Sequence, residues 1–401
     1  MATDPTILVL NCGSSSVKAA WFATEPALLR VGSGAVDHLD TRQARLRALH
    51  ADGSIVRDEP LDVIEHEHAI DLLLTHVETR ELTDPLVAVG HRLVHGGAEF
   101  AKPRIVDDAL LDRLQTVIAL APMHLPHNLA GIAEVTCRWP DTTQVACFDT
   151  AFHQSLPDVA RLLGLPQALH SRGIRRYGFH GLSYESIVDD LARHEGAAAI
   201  AGRTVVAHLG SGASMTALKD GKSIDTTMGF SALGGLLMGT RCGDIDPGAL
   251  LYLLQENIVD IAGAQDLLYE KSGLLGVSGV SSNMRALLDQ QDLPAVRQAI
   301  ELFCHSARKH LAALTAVLGG LDRLVFTGGI GANSPEIRQR ICADLSYLGV
   351  DLDPGRNNRQ DRTISFPGSP VIVNTIHSDE ELIIARHTYQ LAIAPLSQAP
   401  R

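Results

Sequence analysis

At 401 residues the chain exceeds one ordinary hydrophobic core, so two domains are expected. Hydrophobic residues make up 45% and charged residues 20%, which excludes a disordered chain, and no apolar run reaches the roughly 20 residues of a membrane span. The formal net charge of −12, with no basic block to offset it, excludes a general nucleic-acid binder, so an anionic substrate must be held by a few local Arg and Lys residues.

No basic region or cleavage-type signal precedes ILVLN, as expected of a cytoplasmic protein. ILVLN, the Gly13-Ser14-Ser15-Ser16 turn and VKAAWF predict a hairpin with a serine loop at its tip. His66 and His68 fall in a charged run expected to be exposed. With no HExxH motif among the histidines, no structural zinc site is expected. About 200 residues after the first hairpin the pattern returns: TVVAHL, a Gly210-Ser211-Gly212-Ala213-Ser214 turn, then MTALKDG. That repeat predicts two similar α/β domains made by duplication. Asp220-Gly221 predicts a further hairpin turn. Gly221-Lys222-Ser223 does not complete a Walker A loop, because Thr216 stands where its first glycine belongs.

Further along, Asp246-Pro247 predicts a helix start, as cap and first-turn proline. A long packed helix is predicted around Ile300 to Leu318, as an interdomain or interface element. After the strand RLVFT and the glycine turn GGIGAN, Ser334-Pro335-Glu336 opens a helix. Ile337, Ile341, Leu345 and Leu348 fall on one face of it and Gly349 stops it. The closing PLSQAPR is expected to fray. Cys12, Cys137, Cys147, Cys242, Cys304 and Cys342 form no CxxC pair and read as reduced, mostly buried thiols.

The chemistry-bearing residues gather in a few blocks. The turns at Asn11–Lys18 and His208–Ser214 offer backbone N–H groups and hydroxyls to phosphate oxygens. GGIGAN follows a strand and opens a helix, a usual place for a nucleotide. HRLVHGG (His91, Arg92, His95), CFDTAFH (Asp149, His153), RRYGFHG (Arg175, Arg176, His180) and MGTRCGDIDP (Arg241, Asp244, Asp246) set charged or imidazole groups among glycines and aromatics. Four such blocks beside two phosphate-type loops point to an active site.

NCGSSSVK, GHRLVHGG, FDTAFH, RRYGFHG, HLGSGAS, MGTRCGDIDPG, FTGGIGAN and SDEEL, in this order over essentially the whole chain, closely resemble the acetate kinase family. The resemblance implies an α/β, duplicated actin-like ATPase fold with two domains around a central cleft. Residues 1–151 plus 384–401 would form the N-terminal domain. Residues 152–383 would form the C-terminal one, with the nucleotide site and dimer interface of a homodimer. It implies ATP/ADP and a short-chain carboxylate as substrates, with Mg²⁺ as cofactor and Mn²⁺ as its substitute. By the same analogy Asn11 and Glu380 place the metal, and Lys18 contacts the nucleotide phosphates. Arg92 and Arg241 bind the carboxylate and the transferring phosphoryl, and His180 donates to that phosphoryl. Asp149 is the acidic active-site residue. ATP is surrounded by His208, Leu209, Gly210, Ser211 and Gly212, by Asn283, Met284 and Arg285, and by Gly328, Gly329, Ile330, Gly331 and Ala332. The substrate's methyl end meets Val94, Met123, Phe179 and Ala232.

Against the family pattern, Ser211 replaces Asn, Asn283 replaces Asp and Ala332 replaces Glu. Leu182 and Tyr184 replace Thr and His, Ala232 replaces Pro, and Gly234 replaces Glu. The expected activity is acetate kinase. The competing readings are a propionate or butyrate kinase, a pyrophosphate-dependent acetate kinase, and a noncatalytic actin-like nucleotide binder. Because a carboxylate substrate is already ionised near neutrality, Asp149 is expected to order the Mg²⁺ water shell or hold an arginine, not to act as a base.

Overall fold

The computed structural model describes residues 5–13, 16–25, 27–39, 44–79 and 85–394. The chain divides into one unit of residues up to Ala151 and from Asp379 onward, and a second unit, Phe152–Ser378. The boundary expected at 384 falls inside the helix Glu380–Ala392, all of which belongs to the first unit.

In the first unit, β1 (Thr6–Cys12) and β2 (Ser16–Ala23) form the expected hairpin, with Asn11 directly opposite Lys18. Ser14 and Ser15 at its tip lie outside the described residues, as does the PLSQAPR segment. β3 (Leu29–Asp37), β4 (Arg45–His50) and β5 (Ile55–Pro60) extend the meander on one side. β6 (Leu86–Leu93), the short β7 (Arg104–Ile105) and β8 (Thr143–Phe148) complete an eight-stranded sheet ordered β5-β4-β3-β2-β1-β6-β8-β7. β6 runs parallel to both β1 and β8. β1 is buried along nearly its whole length, because helices cover both faces of the sheet. Leu8, Leu10 and Val89 share a core with Ile70, Leu73 and Val135 from the helices His66–Thr79 and Leu125–Arg138. Gly90 points the other way, toward the helix Glu380–Ala392. A Cβ there would stand 2.3 Å from Thr388 Oγ1 and 2.6 Å from Ile384 Cγ2, so only glycine lets this helix lie so close.

The second unit repeats the plan. β9 (Arg203–Leu209) and β10 (Ala213–Lys219) form a hairpin, Asp220-Gly221 turns the chain into β11 (Lys222–Thr226), and β12 (Arg323–Thr327) and β13 (Ile372–Thr375) add in parallel. The order β11-β10-β9-β12-β13 matches β3-β2-β1-β6-β8 strand for strand and direction for direction. This is the duplicated actin-like architecture that the resemblance implies.

Several elements differ from expectation. The long helix runs Pro294–Leu318, and its apolar face, including Ile300, Phe303 and Leu311, packs on β9–β11 within the second unit. The helix capped by Ser334 ends at Cys342, because Ala343 leaves helical geometry at ψ 137° and Asp344 then turns left-handed at φ 64°. Leu345 nevertheless remains buried, and a separate turn at Ser346–Leu348 stops at Gly349. GGIGAN is itself a short helix, Gly328–Asn333. His66 is buried, with Nε2 2.9 Å from the Gly13 carbonyl and its ring beside His127. Of the cysteines, Cys12, Cys147, Cys304 and Cys342 are buried, and all six are free thiols. Among the described residues no helix is long and apolar enough to cross a membrane.

Candidate active site

Ligands of open α/β sheets gather beyond the carboxyl ends of parallel strands. In the first unit those ends bring together Asn11 from β1, Arg92 from β6 and Asp149, the residue just after β8. Arg92 Nε and Nη2 donate to the two carboxylate oxygens of Asp149 at 3.1 and 2.6 Å, a forked grip. Its Nη1 donates to Asn11 Oδ1 at 3.1 Å. Glu380, first residue of its helix, places Oε2 3.7 Å from Arg92 Nε. Lys18 is exposed on β2 and lines a small recess with Arg30 and Glu381.

Burial opposes the Arg92 charge, but Asp149 and Glu380 more than offset it and raise its pKa. Glu380 is pushed up to about 7, first by burial and then by Asp149 and Glu381, against the pull of Arg92 and Lys18. Asp149 takes both close donors of the fork, and Glu380 stands farther from Arg92, with Asp149 and Glu381 as neighbouring carboxylates.

Val94 follows β6, is nearly buried, and its N–H donates to Asn128 Oδ1. Met123 is more open, on the approach to the helix Leu125–Arg138.

In the second unit His180 sits left-handed, at φ 58°, before the helix Gly181–Glu195. Its ring stacks on that of His208, with centroids 4.4 Å apart, and its Nδ1 lies 2.8 Å from Ser214 Oγ. His208 Nδ1 lies 2.7 Å from Ser183 Oγ. Phe179 is buried beside His180, and Ala232 receives Arg241 Nη1 on its carbonyl at 3.0 Å. Gly212 faces both His180 and Arg241. A Cβ there would stand 3.4 Å from His180 Nε2 and 3.7 Å from Arg241 Nη1.

A cavity of about 860 Å³ lies in the same unit, within the usual range for small-molecule sites. Gly210, Ser211, Asn283, Met284, Arg285, Gly329 and Ile330 line it. Leu209 and Gly328 meet at its edge, where a Cβ on Gly328 would stand 2.6 Å from the Leu209 carbonyl. Gly331 and Ala332 turn into the interior instead, so a change at 332 does not alter the lining. Asn283 caps its own helix, accepting from the N–H groups of Arg285 and Ala286, a task Asp would perform equally.

Other members of the four blocks are scaffold. His91 bonds Gln144, His95 accepts from the Gly97 N–H, and His153 bridges Ser223 and the Phe179 carbonyl. Burial depresses all three to about 4. Arg176 donates to the carbonyls of Thr226 and Ala160, and Arg175 lies over the Tyr177 ring. Asp244 accepts from the Gly235 N–H, and Asp246 caps the helix Pro247–Gln255.

Sequence reasoning missed Glu336 and Gln360 in the cavity lining and had Asn333 only as the last residue of GGIGAN. It also missed Arg338. This fully buried arginine donates to the carbonyls of Gly331 and Ala332 and to Asn357, and burial lowers its pKa to about 10. The missed signal was its place one turn after a helix cap, where it can tie off the end of the preceding helix.

A sequence profile of the Acetokinase family matches residues 6–386. The chain is 48% identical over 395 residues to acetate kinase of Rhodopseudomonas palustris (strain TIE-1), covering 96% of this chain and 98% of that one. It is 46% identical over 400 residues to that of Nitrobacter hamburgensis, covering 99% and 98%. Among solved structures, Porphyromonas gingivalis acetate kinase matches at a TM-score of 0.85 and 35% identity, over 96% of this chain and 99% of that one. A propionate kinase from Francisella tularensis matches at 0.89 and 35%, over 96% and 100%. With likeness of this extent in sequence and fold, the chain belongs to the acetokinase family.

Proposed function

We propose that the chain is an ATP-dependent carboxylate kinase, reversibly transferring the γ-phosphoryl of ATP to acetate by direct in-line attack to give acetyl phosphate and ADP. The observation that carries the reading is Arg92, a guanidinium oriented by Asp149 and Asn11 at the carboxyl ends of three adjacent strands in a chain of this family. Acetate is already ionised near neutrality, so its attack needs no base. What the transfer needs is alignment and neutralisation of charge on the equatorial oxygens. Arg92 and Arg241 bind the carboxylate and the phosphoryl, and His180 donates to the phosphoryl in the transition state. Asp149 holds the Arg92 fork in place. The cavity at Asn283–Arg285 and Gly329-Ile330 takes the nucleotide, and Lys18 meets its phosphates.

The residues fit Mg²⁺. Asn11, Asp149 and Glu380 offer the hard oxygen donors it prefers, and the raised Glu380 carboxyl calls for a cation. Asn11 and Glu380 would hold the ion, with Mn²⁺ as a substitute, and it would supply charge neutralisation at the nucleotide phosphates. A cytoplasmic homodimer completes the reading. Leu251, Tyr252 and Ile261 are more than half exposed on the helices Pro247–Gln255 and Ile261–Glu270, an apolar surface that a second copy would cover.

Trapping acyl phosphate with hydroxylamine tests the reaction, with acetate, propionate and butyrate as acceptors and ATP, GTP and pyrophosphate as donors. Hydroxamate from acetate and ATP is expected. ATP binding with no hydroxamate from any acceptor would establish the noncatalytic alternative.

A further inference from the structure

His180 is backed by two side chains to which the reading above gives no task. Its Nδ1 lies 2.8 Å from Ser214 Oγ, and the Tyr184 hydroxyl is hydrogen-bonded to the same oxygen. Both Tyr184 and Ser214 are fully buried. Tyr184 follows His180 by one helical turn and bonds its carbonyl through the backbone at 3.1 Å. Its ring is braced by Phe152 and, edge-on, by His153, with centroids at 6.1 and 5.6 Å. Ser214 lies on β10 directly opposite His208, whose ring stacks on that of His180. The serine hydroxyl is thus fixed by the sheet and the tyrosine hydroxyl by the helix, and they meet behind the imidazole.

We propose that Tyr184 and Ser214 form a hydrogen-bond relay that holds His180 as its Nε2–H tautomer, so that a single donor faces the transferring phosphoryl. The inference rests on the role given to His180 above. Serine has one proton to give and two neighbours here. A phenol, with a pKa of about 10, is a stronger donor than an aliphatic alcohol, and it is a weaker acceptor because its lone pair is shared with the ring. Tyr184 O–H therefore donates to Ser214 Oγ, and Ser214 O–H donates to His180 Nδ1. In a neutral imidazole the accepting nitrogen carries no proton, so the proton is on Nε2. Nε2 and Arg241 Nη1 face the same space at Gly212, where an added Cβ would crowd both. The reverse direction would aim a lone pair at an anionic oxygen.

Tyr184 and Ser214 are positioning residues, and the test reads the tautomer before the rate. The intact enzyme carries ¹⁵N-labelled histidine and is held at about pH 8.5, above the ordinary histidine pKa. His180, assigned by its loss in His180→Asn, should show a protonated Nε2 and a bare Nδ1. Tyr184→Phe keeps the ring and removes the hydroxyl. It should move these nitrogen signals toward a tautomer mixture. Its kcat should fall about tenfold with KM for acetate and ATP within about twofold, the pattern of an interaction made only in the transition state. Ser214→Ala should shift the signals at least as far. Wild-type His180 protonated on Nδ1 would overturn the relay. So would Tyr184→Phe with unmoved His180 signals and wild-type kcat. Full activity in His180→Asn would instead remove the role assigned to His180 itself.

Discussion

Replacing Arg92 by Ala would leave the Asp149 carboxylate, whose side chain is 1% exposed, buried without its counter-charge. Losing one partner of such a pair costs about 3–5 kcal/mol of stability. Arg92→Lys separates folding from chemistry, since it keeps the charge and loses the fork. We expect a folded protein whose kcat is down by roughly 10²-fold or more. Arg241→Ala, which releases the Ala232 carbonyl and the Met238 thioether, should fold with a similar loss. Near wild-type turnover in either would disprove the assignment. Asp149→Asn should be crippled at every pH, with a raised KM for acetate and a raised Mg²⁺ requirement. A shifted acidic limb of the pH profile with unchanged Mg²⁺ dependence would restore the general-base role. Ala232 offers less bulk than proline where the methyl end of the substrate is expected, and an extra methylene is worth roughly 0.8 kcal/mol if space exists. Propionate should therefore be used nearly as well as acetate, and Ala232→Pro should narrow the choice. Rejection of propionate by more than about a hundredfold would contradict this, since one methylene seldom discriminates so strongly. At this scale the charged residues were legible, because glycines and aromatics around an Arg or His are unusual in surface or core. Which of them reach the site was not. Arg92 and Arg176 look alike in sequence, and only the strand register and the Thr226 carbonyl separate them.

Among the elements, the helix Glu380–Ala392 depends on the bare Cα of Gly90. Gly90→Val should push it off the sheet, costing roughly 1–3 kcal/mol from overpacking and carrying Glu380 out of reach of Arg92. Thermal unfolding and kcat should fall together, and an unchanged melting temperature would show that the helix does not rest there. Both hairpins and the capped starts at Asp246 and Ser334 could be read from the sequence, since turn residues and caps act locally. The helix end after Ser334 could not. Leu345 keeps the spacing of a helix while standing in a turn, because burial constrains where a side chain points and leaves the backbone route open. The inward face of GGIGAN was hidden for a related reason: a segment of three glycines and an alanine with a single large apolar residue, Ile330, carries no periodic signal.

For the whole molecule, stability should follow its buried histidines. His91, His95 and His153 ordinarily titrate near 6.5 and are held near 4, mainly by burial. The unfolded chain therefore binds more protons between those values. The stabilisation is fully present above about pH 6.5 and is lost as pH falls through about 4. Urea midpoints should decline steadily over that window, and a flat profile would mean that these rings are not held neutral. The duplication was legible from two small-residue turns half a chain apart. The return of the last helix to the first sheet came only from the family resemblance, with its boundary set at 384 where the unit resumes at Asp379, because no local signal marks which sheet a helix will cover. That return has a consequence during synthesis. The second unit is one continuous stretch, whereas the first is closed by residues from Asp379 onward. A nascent chain can therefore finish its later half before its earlier one, against the usual N-terminal-first order. Until residues from Asp379 onward have been made, β6 has no cover over Gly90 and Arg92 has no Glu380. A product stalled or truncated before Asp379 would expose the open face of the first sheet to chaperones and proteases, so it should yield no partly active enzyme.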